Sequence, residues 1–192
     1  MQLSNLGIFS DVKIIKPTIH DDNRGFFLES YNEKKFKDLL KIPDTFIQDN
    51  HSRSKKGVLR GMHFQTPPNP QSKLVRVVRG GVLDVVIDIR VNSKSFGKWE
   101  SIELSEKNFL MLYIPVGFAH GFLSIKDGTD VIYKTNNLYD PLTDKTLMWN
   151  DPQIEVNWQF KKFGVSNPSI SEKDKSAKSL IELKKQNQLF TT

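Results

Sequence analysis

Across residues 81–90 the chain alternates with period two. Leu83, Val85, Ile87 and Ile89 fall on one side, and Asp84, Val86, Asp88 and Arg90 on the other. A helix does not sort side chains this way, whereas a strand does so at every step of its pleat. Similar short runs rich in Val, Ile, Thr and Phe cover residues 26–31, 45–50, 58–65, 73–79, 99–104, 109–114, 120–125 and 131–136, with Gly, Pro and Asn between them. Only Ala119 and Ala177 supply the strongest helix former, so helix is disfavoured nearly everywhere. The pattern predicts an all-β fold, an antiparallel jelly-roll sandwich or barrel with short flanking helices. Helices are expected at 32–40, where Asn32 can cap and Phe36, Leu39 and Leu40 form an apolar stripe, and at 176–186. The Gly80-Gly81 pair reads as a tight hairpin turn.

The 192 residues suit one domain, with a jelly-roll core over about 5–160 and a helical appendage over about 168–188. The formal net charge is +6, but seven Lys stand against Glu172, Asp174 and Glu182 between residues 161 and 188. Most of the excess therefore sits in a lysine-rich tail, and the body lacks the continuous basic face that sequence-independent nucleic-acid binding needs. A small phosphorylated ligand remains open. Without Cys there is no disulfide framework, thiolate zinc site or cysteine nucleophile. The longest uncharged run, 109–125, is interrupted by Pro115, Gly117, His120 and Gly121, too short and broken for a membrane helix. No signal peptide is apparent at the N-terminus, and a cytoplasmic protein without membrane contact is the expectation.

Two of the four His lie at apolar strand positions: His63 within 57–65 (GVLRGMHFQ) and His120 within 115–122 (PVGFAHGF). One buried His is most simply a satisfied core residue. Two in a small β-domain make a better case for chemistry, since imidazole titrates nearest neutrality and suits a general base. The spacing resembles the cupin family. Pro115, Gly117 and His120 fit the second cupin motif, with Ser124 where Asn is usual, but Gln65 replaces the second His of the first motif. Two His without an evident carboxylate make a poor metal site, so no metal is expected. Metal-free acid–base chemistry remains, with Lys73 and Tyr133 as further candidates.

Taken in order, the motifs strongly resemble the dTDP-4-dehydrorhamnose 3,5-epimerase family of nucleotide-sugar enzymes. They are DNRGFFLE at 22–29, QDN at 48–50, GVLRGMHFQ at 57–65, KLVR at 73–76, PVGFAHGF at 115–122, YK at 133–134, YDP at 139–141, WNDP at 149–152 and SEKD at 171–174. The resemblance implies inversion of C3 and C5 of dTDP-4-dehydro-6-deoxy-D-glucose, the carbons flanking a ketone, in the dTDP-rhamnose route. No redox cofactor or metal is implied. His63 would be the base, Asp174 its partner, Lys73 the cation at the enolate oxygen, and Tyr133 the acid on the opposite face. Arg24, Arg60 and Lys173 would meet the diphosphate; Gln48 and Asn50 the sugar or nucleotide. Tyr139 would stack on the base, and Glu29, His120 and Asp144 would be further contacts. The family also suggests a homodimer in which the segment from Arg24 to Glu29 reaches the partner's site.

A strict pleat places Arg60 and His63 on opposite faces, because they are three residues apart. Both can line one interior only if the strand is irregular, with Gly61 a reasonable position for a bulge, or else one of the two reaches the ligand from a strand end. A mono-epimerase, an epimerase of another nucleotide-linked 4-keto sugar, and a non-catalytic sugar-nucleotide-binding cupin remain as alternatives.

Overall fold

The computed structural model describes residues 1–38 and 40–191. Its strands are β1 Gln2–Leu6, β2 Phe9–Lys16, β3 Ile19–Asp22, β4 Gly25–Leu28, β5 Gln48–Ser54, β6 Leu59–Gln65, β7 Lys73–Arg79, β8 Gly81–Asp88, β9 Trp99–Ser105, β10 Met111–Ile114, β11 Phe118–Ser124, β12 Thr129–Thr135 and β13 Asp144–Thr146. Four short helices accompany them: α1 Glu33–Asp38, α2 Phe160–Phe163, α3 Glu172–Lys175 and α4 Leu180–Lys185. Among the described residues no helix is long and apolar enough to cross a membrane.

Two antiparallel sheets face each other, a six-stranded one in the order β1-β2-β10-β7-β12-β5 and a five-stranded one in the order β13-β6-β11-β8-β9, while β3 and β4 form a separate hairpin. This is the jelly-roll sandwich expected from the strand pattern. Val75, Val77, Val131, Leu112 and Ile114 of the first sheet meet Val82, Val86, Leu104, Phe118 and Phe122 of the second in a buried core between the layers. The alternating residues of β8 explain its role. Leu83, Val85 and Ile87 turn outward into a second core, capped by Ile154, Trp158, Leu180, Leu183, Leu189 and Phe190. The stretch after Pro168 thus packs into the main body, each such large side chain contributing about 1.5–3 kcal/mol on burial. On the far side, Phe36 of α1 with Leu40 and Ile42 covers Ile15, Leu74, Met111 and Tyr113 of the six-stranded sheet.

Several expectations need correction. Gly80-Gly81 does not close a hairpin: β7 pairs with β10 and β12, and β8 with β11 and β9. The pair instead turns a corner from one sheet to the other, with Gly80 at φ 77° and a hypothetical Cβ there only 3.0 Å from Thr129 Cα. The run at 45–50 is displaced to Gln48–Ser54, and β1, β2, β3 and β13 lie where no strand was expected because their alternation is polar or brief. Helix α1 is capped as expected by the Asn32 side chain, which accepts from Lys35 N at 3.1 Å, and is described over Glu33–Asp38; Leu39 of the expected stripe lies outside the described residues. In the tail, α4 begins with a capping box of Ser179 and Glu182.

Candidate active site

Strand β6 delivers Arg60, His63 and Gln65 to one interior. His120 of β11 pairs with His63 and Phe122 with Arg60, so Gly121 alone stands across from both Gly61 and Met62. The extra residue resets the parity, and of the two expected routes the bulge at Gly61 is the one adopted. Gly61 has φ 133°, and a Cβ there would lie 2.6 Å from Gly121 Cα. Two glycines face each other because the strands approach too closely for anything else.

His63 Nε2 lies 2.7 Å from Asp174 Oδ1, and Gly61 N donates to Asp174 Oδ2 at 3.3 Å. Asp174 is 3% exposed and is carried by α3, whose cap Ser171 accepts from Asp174 N. Burial pushes its carboxyl up, but the bond and charge of His63, the Gly61 N–H and Ser171 outweigh it and hold the group below the usual carboxylate range. Asp174 is therefore an anion at neutral pH. Its partner must donate from Nε2, which leaves the Nδ1 lone pair as the basic atom of His63.

The facing sheet supplies the other two groups. Lys73 on β7 and Tyr133 on β12 share an inward face, for Thr135 pairs with Lys73 and Tyr133 with Val75. Lys73 Nζ donates to His63 O at 3.2 Å and lies 6.0 Å from the centre of the Tyr133 ring. Burial pulls the Lys73 ammonium down to about 8, against the pull of Asp144 and Asp84 in the other direction. Burial also raises Tyr133, so the phenol keeps its proton. A chamber of about 200 Å³ and a deeper one of about 140 Å³ both have His63, Lys73 and Tyr133 in their walls. An imidazole on one sheet thus faces a phenol and a lysine of the other across shared chambers.

Arg60 and His120 line the deeper chamber. Arg60 Nε donates to Ser54 Oγ at 3.1 Å. His120 Nε2 meets both oxygens of Asp84 at 3.0 and 2.9 Å, and burial lowers the His120 imidazole despite that carboxylate. Toward the mouth, the larger chamber is lined by Gln48, Asn50, Tyr139, Asp144 and Lys173. Lys173 Nζ pairs with Asp144, whose Oδ2 also accepts from Tyr139 OH at 3.2 Å. Among the described residues no group of three or more His, Asp or Glu is placed to hold a metal ion.

The family model described as dTDP-4-dehydrorhamnose 3,5-epimerase matches residues 8–182. The chain belongs to that family. The dTDP-4-dehydrorhamnose 3,5-epimerase of Escherichia coli is 48% identical over 90% of this chain and 91% of its own length. The dTDP-6-deoxy-D-glucose-3,5-epimerase of Legionella pneumophila, solved with dTDP-4-keto-L-rhamnose, superposes with TM-score 0.92 at 40% identity, covering 100% of this chain and 98% of that one. A 3′-monoepimerase of Streptomyces bikiniensis, solved with dTDP-quinovose, superposes with TM-score 0.89 at 28% identity over 98% of this chain and 93% of the other.

Two residues that the epimerase resemblance placed at the site are not at the cavity of their own chain. Arg24, 86% exposed, pairs with Asp22 in the β3–β4 hairpin, whose Ile19, Phe26 and Phe27 are also exposed. Glu29 pairs with Lys35 at 2.7 Å and lines a separate groove with His20 and Phe27. Conversely, Ser52, Gln71 and Phe122 line the chambers without having been singled out. Ser52 was findable, because it continues the inward alternation of Gln48 and Asn50. Asp84 was findable too, standing on the β8 face that pairs across to Phe122 beside His120.

Proposed function

We propose that the chain inverts C3 and C5 of dTDP-4-dehydro-6-deoxy-D-glucose, giving dTDP-4-dehydro-L-rhamnose. The observation that carries this is the placement of His63 and Tyr133 on opposing sheets around one cavity, with Lys73 between them. The carbons beside the C4 ketone are acidic because the charge left on deprotonation moves onto O4. His63 Nδ1 takes the proton, while Asp174 fixes the tautomer and stabilises the imidazolium. Lys73 stands as fixed positive charge for the enolate, in a site dry enough to give that charge weight. Tyr133 then returns a proton from the other side, turning exchange into inversion. Both carbons use the same groups after the ring shifts in its place.

Arg60 and Lys173 suit the diphosphate through charge-assisted hydrogen bonds. Tyr139 suits stacking on the nucleobase, Gln48, Asn50 and Asp144 its polar edges, and His120 the sugar end. Arg24 and Glu29 fit this scheme through a homodimer in which the exposed β3–β4 hairpin reaches the partner's cavity. Arg24→Ala should then weaken binding in the neighbouring pocket of a mixed dimer; an effect confined to the mutated subunit's own pocket would refute the exchange. The reading also takes the whole chain as one cytoplasmic epimerase domain serving dTDP-rhamnose and, beyond it, cell-surface polysaccharide.

The deciding experiment is solvent deuterium incorporation into dTDP-4-dehydro-6-deoxy-D-glucose, resolved at C3 and C5. Label at both carbons with inverted configuration is expected. No label at either would sink the proposal, and label at one alone would make the protein a mono-epimerase.

A further inference from the structure

Tyr139 stands at the mouth of the cavity on a segment without regular structure between β12 and β13. Its side chain is 57% exposed, so packing does not set its position. Side chains from β5, β6 and the β6–β7 connection hold the backbone of the segment instead. Gln71 Nε2 donates to Asn137 O at 2.8 Å, and Gln48 Oε1 accepts from Tyr139 N at 2.9 Å. Gln65 bonds on both sides of the tyrosine: Nε2 donates to Leu138 O at 3.2 Å and Oε1 accepts from Asp140 N at 2.9 Å. Gln65 Nε2 also donates to Asn69 O at 2.7 Å, and Asn69 Nδ2 reaches back to Asp140 Oδ2 at 2.9 Å.

Gln65 is 2% exposed and stands where metal-binding cupins carry their second His. Its amide hydrogens serve two carbonyls and its oxygen serves an N–H, so a flipped amide would set like against like at all three contacts. A buried amide with every group engaged is costly to disturb. Two residues from His63, it is tied to no reacting group, and its bonds run to the loop.

We infer that Gln65 is a positioning residue that holds Tyr139 in place as the platform for the nucleobase before ligand arrives. The inference rests on the nucleotide-sugar reading of this site. A loop already ordered need not be ordered on binding, so the gain appears in affinity for the nucleotide. The rate at the sugar carbons is left to His63, Lys73 and Tyr133.

The test is calorimetric titration with dTDP, together with steady-state deuterium exchange on the nucleotide sugar. Gln65→Leu should bind dTDP about tenfold more weakly and raise KM similarly, with kcat within about threefold of the parent. Asn69→Ala, a milder change in the β6–β7 connection that removes the bond to Asp140, should move both in the same direction by about threefold. Tyr139→Leu should weaken dTDP about tenfold, as expected for a lost base–aromatic stack. Because Gln65 acts through that ring, the double variant should bind no worse than Tyr139→Leu within about twofold. Unchanged dTDP affinity in both Gln65→Leu and Asn69→Ala would overturn the inference. So would a double variant whose penalties multiply, or a fall in kcat without a change in KM. Failure of the parent protein to exchange deuterium would strike the proposed reaction, while the dTDP titrations would still decide the role of Gln65.

Discussion

Replacing Lys73 with Met should make the protein more stable and nearly inactive. Lys73 is 8% exposed, and burial takes its ammonium from an ordinary 10.5 to about 8. Below pH 8 the folded state therefore holds a charge costing about 3 kcal/mol more than in the unfolded chain. Met keeps the length of the stem and gives up the bond to His63 O, worth about 1 kcal/mol, for a net gain of about 2 kcal/mol. Thermal unfolding at pH 7 should rise by about 4–8 °C for a chain of this size. The sign fixes the pH window. Since the folded value is depressed, the penalty is complete below pH 8. It shrinks as pH climbs to 10.5, where the lysine is neutral in the folded state and half-protonated in the unfolded one; the remaining penalty of about 0.4 kcal/mol no longer exceeds the lost bond, and the variant's advantage disappears. Catalysis moves the other way, because losing a preorganised charge at the enolate costs about 3–4 kcal/mol, or a factor of 10² to 10³ in exchange rate. Melting curves at pH 7 and 10.5, beside deuterium exchange, test both arms. A variant less stable than the parent at pH 7, or an advantage that persists at pH 10.5, would refute the reasoning.

Three other perturbations address the remaining parts of the site. Asp174→Asn should bind dTDP within about threefold of the parent yet exchange about 10⁴-fold more slowly, because an amide no longer dictates the tautomer of His63; normal exchange would show that another group is the base. In Tyr133→Phe, deuterium should still enter the substrate with retained configuration, while inverted product falls at least about 10²-fold, as read by NMR of the sugar protons. Gly61→Ala should melt at least about 6 °C lower, since its φ and the nearby Gly121 Cα both oppose a side chain; a melt at the parental temperature would mean that the bulge tolerates a Cβ.

Much of this architecture could be read from residues alone, for identifiable reasons. The β8 alternation was strong because both of its faces are buried and each meets a different core. His63, Lys73 and Tyr133 stood in motifs specific enough to be placed together, and the parity conflict between Arg60 and His63 pointed to Gly61 before any coordinates did. The corner at Gly80-Gly81 was misread because a tight turn looks the same locally whether it joins neighbours in one sheet or changes sheets; the partner strands decide it, and they are distant in the chain. Of the β3–β4 hairpin only the second strand was legible, within the run at 26–31, because β3 is four residues long and mostly polar. The remoteness of Arg24 and Glu29 from their own chain's cavity was implied only by the family resemblance, which sends that segment to a partner; nothing in the residues themselves signals it.

The dyad carries a consequence for biosynthesis. His63 and Asp174 are separated by 111 positions, which at ordinary translation speed is an interval of about 5–20 s. During it the imidazole has emerged but its carboxylate has not, and the outward face of β8 still lacks Leu180, Leu183, Leu189 and Phe190. The unfinished protein then lacks both the partner of His63 and the cover of its second core, and the docking of one late segment supplies the two together.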